Sequence, residues 1–168
     1  HGSHTFNIES CTNFNGYFQN RLLLEEYKHE IVCLCDELRS WLNPATEYDT
    51  VVHIRLGDSV WAANLEPYYR RTLGELHAKR RSKQDSLVVT DSPSEFNMIY
   101  GEYKGFKVQR ESLKTDFKAM MCCRMLYVAP STLSWWAAHS GVQSVISAPS
   151  ELIDILGFYS DDKSLSTL

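Results

Sequence analysis

Apolar and polar positions along the chain follow two rhythms that alternate. Residues 22–42, "LLLEEYKHEIVCLCDELRSWL", carry apolar groups at Leu24, Tyr27, Ile31, Leu34, Leu38 and Trp41. Steps of three and four alternate there, which predicts an amphipathic helix with a wide buried face. Asn43-Pro44 stops it. A short β-branched run, "TVVHIR" at 50–55, then reads as a strand. The same reading gives strands at "SLVVT" (86–90), "FKVQ" (106–109), "MLYVA" (125–129) and "QSVISA" (143–148). Between them lie helical patterns: "EPYYRRTLGELHAKRR" at 66–81, a segment starting at Pro93, "SLKTDFKAMMCCR" at 112–124 and "TLSWWAAHSG" at 132–141. In the third of these Leu113, Phe117, Met120 and Met121 share one face. Strands alternating with helices predict a parallel sheet covered on both faces, a doubly wound α/β domain.

Composition narrows the function classes. The 168 residues suit one domain with a sizeable core. At 43% hydrophobic and 23% charged the chain is ordinary for a globular protein. A formal net charge of −4 argues against generic binding of nucleic acid through a basic surface. No apolar run has membrane-spanning length and no signal-peptide pattern is present, so a cytoplasmic or cytoplasm-facing location is expected. Residues 1–4, "HGSH", look like a tag remnant, 5–159 read as the folded domain, and 160–168 read as a polar tail. Cysteines 11, 33, 35, 122 and 123 match neither paired zinc knuckles nor a CxxC redox site and read as small core hydrophobes.

In an open parallel sheet, ligands bind outside the carboxyl ends of the strands. That rule selects His53 and Arg55 at the end of the first strand and Thr90 and Asp91 at the end of the second. After the fourth it selects Ser131 and Thr132, just ahead of a helix. Arg55 could close a salt bridge, for instance with Asp58, or could grip a phosphate with its fork of donors. Ser131 and Thr132 suit a helix cap, and a capped helix start is also an anion site. His53 reads as a structural histidine or a base. Asp91 reads as a ribose ligand or a cap for the following helix. Asp116, near the start of its helix, is explained by the helix dipole. GxGxxG, Walker, HExxH and GxSxG motifs are absent, and no carboxylate pair stands where a metal would bridge two phosphates. A receiver-type phosphorylation site at Asp91 would need an acidic cluster near the first strand, and the sequence has none.

The segment "HIRLGD" (53–58) resembles the HxRRGD motif of the α-1,2-fucosyltransferases, members of the GT-B-type fucosyltransferase superfamily. "STLSWWAAHSG" (131–141) is similar to that family's "SSFSWWAA" segment, the more specific match of the two. "GYFQNRLLLEE", "EPYYRRTL", "VVTDSPSEF", "DFKAMMCCRMLYVAPSTLSWW" and "VISAPSEL" resemble further family segments in the same order, over roughly residues 14–152. The resemblance implies a Rossmann-like domain, the C-terminal half of a two-domain enzyme, that binds GDP-fucose. It implies inverting, metal-independent transfer of a deoxyhexose to a sugar hydroxyl, with no cofactor beyond the donor. On that analogy Arg55 holds the diphosphate, while Ser131, Thr132 and Ser134 with the helix start bind its other oxygens. His53, Asp91 and Asp116 would lie near ribose and base, and Asp58 or His53 would take the acceptor's proton.

Three departures qualify what is implied. Leu56 stands where the family has a second arginine, and Ser59 where it has an aromatic residue. One charge-assisted contact, worth ~1.5–3 kcal/mol, would be missing. The family's N-terminal acceptor-binding region is not in the sequence, so other domains or a separate acceptor surface would be needed. These departures leave two alternatives: a transferase using another donor, such as a nucleotide-rhamnose, and a non-catalytic nucleotide-sugar-binding or scaffolding module of a multidomain protein.

Overall fold

A computed structural model describes residues 29, 33, 36–37, 40, 48–57, 62–79, 85–141, 145–148 and 164–167. The helix expected over 22–42 lies mostly outside them. The five residues of it that are described, His29, Cys33, Asp36, Glu37 and Ser40, are helical and exposed. None belongs to the apolar stripe, so the exposure of His29, Asp36, Glu37 and Ser40 agrees with the predicted polar face, whereas Cys33, expected as a small core hydrophobe, lies exposed on it.

The rest is a mixed α/β fold. Its strands are β1 (Thr50–Ile54), β2 (Ser86–Thr90), β3 (Lys107–Gln109), β4 (Met125–Tyr127), β5 (Val145–Ala148) and β6 (Ser164–Thr167). Helix α1 (Ala62–Ala78) joins β1 to β2, α2 (Pro93–Tyr100) joins β2 to β3, α3 (Leu113–Cys122) joins β3 to β4 and α4 (Thr132–Ser140) joins β4 to β5. All strand pairs are parallel, in the order β3-β2-β1-β4-β5-β6. That order is consistent with a Rossmann-like, doubly wound sheet, with its topological switch point between β1 and β4.

Alternation along the strands divides the side chains between the two faces. The register pairs His53 with Val89 and Val89 with Gln109, so these three share a face. The Gln109 amide donates to the Asp116 carboxylate of α3 at 3.2 Å, which puts α3 on that face. Val52 and Tyr127 are partners on the other face, where Tyr127 lies within electrostatic reach of Tyr68 and Glu75 of α1. The Tyr69 ring meets Tyr100 edge-on at 6.4 Å and so ties α1 to α2. Right-handed crossovers give the same division, α1 and α2 on one face and α3 and α4 on the other. β1 and β2 are buried throughout, as near-continuous apolar runs in a covered parallel sheet should be. Trp135, Tyr69 and Tyr100 are the largest fully buried side chains of the core.

Asp49 fixes how β1 lies against β4. Its backbone oxygen accepts from the N–H groups of Arg124 and Met125 at 3.0 Å. Its carboxylate takes Arg124 Nε at 2.7 Å and Nη2 at 2.9 Å, a two-pronged pair that holds its pKa below the usual value. Clamped at their amino ends, the two strands deliver their carboxyl ends side by side.

Three elements differ from the expectations set by the sequence. α1 starts at Ala62, ahead of the expected Glu66, and carries an exposed Pro67 inside it. Proline is best tolerated in a first helical turn, and here it stands beyond it. β4 ends at Tyr127, although the Val128 N–H still donates to the Ser147 oxygen of β5 at 2.9 Å. Ser164–Thr167, within the segment expected to be a polar tail, pairs with β5 as a sixth strand. Parallel edge pairing asks little of side-chain hydrophobicity, so a polar run can satisfy it.

Candidate functional site

Asp91 organises the carboxyl edge of the sheet. Its Oδ1 accepts from the backbone N–H of Leu56 at 2.9 Å and of Gly57 at 3.4 Å. Its Oδ2 pairs with Arg55 Nε at 3.0 Å. Its backbone oxygen accepts from Arg110 Nη1 at 2.6 Å. One residue at the end of β2 therefore holds the turn after β1, the guanidinium at the end of β1 and the guanidinium at the end of β3. Gly57 lets this happen: a Cβ there would lie 3.0 Å from Ser92 Oγ and 3.1 Å from Asp91 Oδ2. Of the two sequence-level roles for Asp91, the carboxylate does not cap α2, whose N-cap is Ser92. Arg55 finds its carboxylate in Asp91; Asp58, the partner suggested by the sequence and a candidate base, lies outside the described residues.

His53 is one residue pair deeper along β1, on the same face as Arg55. It is 3% exposed and its Nδ1 has no hydrogen-bond partner. Burial lowers its pKa to about 4; Asp91 opposes the shift and Arg55 adds to it. At neutral pH it is an uncharged ring and a weak proton acceptor.

Ser131 caps α4. Its hydroxyl accepts from Leu133 N–H at 3.2 Å, as expected of a serine at a helix start. Thr132 follows at the first helical position, half-buried. Ser134 is fully buried, and its hydroxyl donates to the backbone oxygen of Ala129 at 2.9 Å. That bond fastens α4 to the end of β4. Asp116 is 7% exposed, accepts from Gln109 and from Glu111 N–H, and is pushed up in pKa chiefly by burial. Its visible work is to hold the loop between β3 and α3.

The parallel register brings Arg55, Asp91 and Ser131 to the same edge, with Arg55 and Ser131 flanking the switch point between β1 and β4. Beside Thr132 an open groove of about 490 Å³ is lined by Leu113, Phe117, Leu133 and Trp136, with Lys114 at the same wall. Arg110 stands at this edge although sequence reasoning does not single it out. A signal for it exists: it directly follows a strand, as Arg55 does.

Among the described residues no group of three or more His, Cys, Asp or Glu could hold a metal ion, and no helix is long and apolar enough to cross a membrane. No protein-family model, curated protein or solved structure matches the chain.

Proposed function

We propose that this chain is the nucleotide-sugar-binding domain of an inverting glycosyltransferase of the fucosyltransferase type, with GDP-fucose as donor and a sugar hydroxyl as acceptor. The observation that carries the reading is the flanking of the switch point by Arg55 on one side and the Ser131-capped start of α4 on the other. Both are anion-binding devices, and both belong to the two segments that resemble the family.

In the reaction, the acceptor oxygen attacks the anomeric carbon from the face opposite the diphosphate. The bond from that carbon to the phosphate oxygen breaks, and its electron pair leaves with the diphosphate. Arg55 and the N–H groups at the start of α4 meet the charge that builds there, in a cleft where pre-aimed donors act strongly. The acceptor proton passes to a base, with Asp58 and His53 as the candidates. Burial weakens His53 as a proton acceptor.

The test is calorimetric titration of the protein with GDP in the absence of metal. Wild type should bind, and Arg55→Ala should weaken binding at least tenfold. Equal heats from both proteins with every nucleoside diphosphate would end the assignment. A second reading, a binding or scaffolding module without turnover, draws on Leu56: it is 4% exposed and packs in the core, so it offers no cation beside Arg55. Donor hydrolysis or transfer by the purified chain excludes that reading.

A further inference from the structure

Two arginines from different strands converge on Asp91. Arg55 reaches its carboxylate from β1 at 3.0 Å, and Arg110 reaches its backbone oxygen from the residue after β3 at 2.6 Å. The single carboxylate is also engaged by the Leu56 and Gly57 N–H groups. Two guanidinium groups thus meet on Asp91, and the Asp116 carboxylate lies within electrostatic reach of Arg110. The Arg110 bond to the Asp91 backbone oxygen uses one of five N–H donors. Arg110 is exposed, and its anchor fixes the direction in which the guanidinium extends.

We infer that Arg55 and Arg110 form a two-pronged clamp for a phosphate or diphosphate group, with Asp91 as the fixed post that orients both. The identification of the ligand as the diphosphate of a nucleotide sugar rests on the function proposed above; the clamp itself rests on the geometry at Asp91. Arg110 then acts by direct contact with the anion, and a fork-shaped donor is needed there more than a positive charge alone.

The experiment measures dissociation constants for inorganic pyrophosphate and for GDP with wild type, Arg110→Ala, Arg110→Lys and Arg55→Ala, alongside the melting temperature of each unliganded protein. Arg110→Ala should weaken pyrophosphate at least tenfold, and Arg110→Lys should recover part of that loss. Pyrophosphate binding by Arg110→Ala within twofold of wild type overturns the clamp, as does failure of wild type to bind pyrophosphate. If Arg110→Ala unfolds, Arg110→Lys decides, because it keeps the charge and loses the fork: a loss of threefold or more supports the clamp, and unchanged binding overturns it. Wild-type binding of pyrophosphate without binding of any nucleoside diphosphate, again lost in Arg110→Ala, supports the clamp while the transferase reading fails.

Discussion

Desolvation governs His53. It brings the imidazole pKa to about 4, with Asp91 and Arg55 pulling in opposite directions as smaller influences. The unfolded chain binds a proton near pH 6.5, so between those values the unfolded state holds more protons than the folded one. Stability from this group is therefore complete above about pH 6.5 and is lost as the pH falls toward 4. Going from pH 7 to pH 5 should cost roughly 2 kcal/mol. Urea unfolding at the two pH values checks this, and His53→Phe should flatten the difference; an equal slope in the variant would show that other groups are responsible. At this scale the sequence is only half readable. Arg55 and Asp91 are visible as strand-end residues, because edge position follows from strand assignment alone. Their pairing is not visible, since it depends on the β1–β2 register, which is itself settled by packing. Arg110 is hidden for a related reason: "FKVQ" is a weak strand pattern, and a weak strand advertises its end weakly.

Elements are more legible, because the switch from period 2 to period 3.6 survives local irregularity. Five of the strands and the helices between them follow the apolar rhythm; their boundaries shift by a few residues where a proline or a turn competes. Capping allows a sharper test. Ser131 at α4 and Ser112 at α3 make equivalent bonds, to Leu133 N–H at 3.2 Å and to Thr115 N–H at 3.1 Å. Replacing either by alanine should cost about 1 kcal/mol of stability, read from thermal or urea unfolding. Only Ser131→Ala should also weaken GDP binding, because only α4 starts beside the switch point. Equal affinities in the two variants would reduce Ser131 to a cap and remove α4 from the binding site.

The arrangement of the whole sheet brings residues that follow four strands to one edge, and its outer strand shows where sequence pattern stops being informative. A polar strand at a sheet edge contributes backbone hydrogen bonds and little core, so nothing in the hydrophobic rhythm marks Ser164–Thr167 as β6. Yet β6 covers the β5 edge, pairing at four positions from Val145–Ser164 to Ala148–Thr167. Deleting residues 160–168 should expose that row of N–H and C=O groups and promote association of chains through β5. Light scattering during size-exclusion chromatography should then show dimers or larger species that the intact chain lacks. The β1–β4 switch point lies on the other side of β4 from that edge. Below its melting temperature the truncated chain should therefore bind GDP with the affinity of the intact one. Loss of binding together with a monomeric elution profile would mean that β6 supports the site rather than guarding the edge.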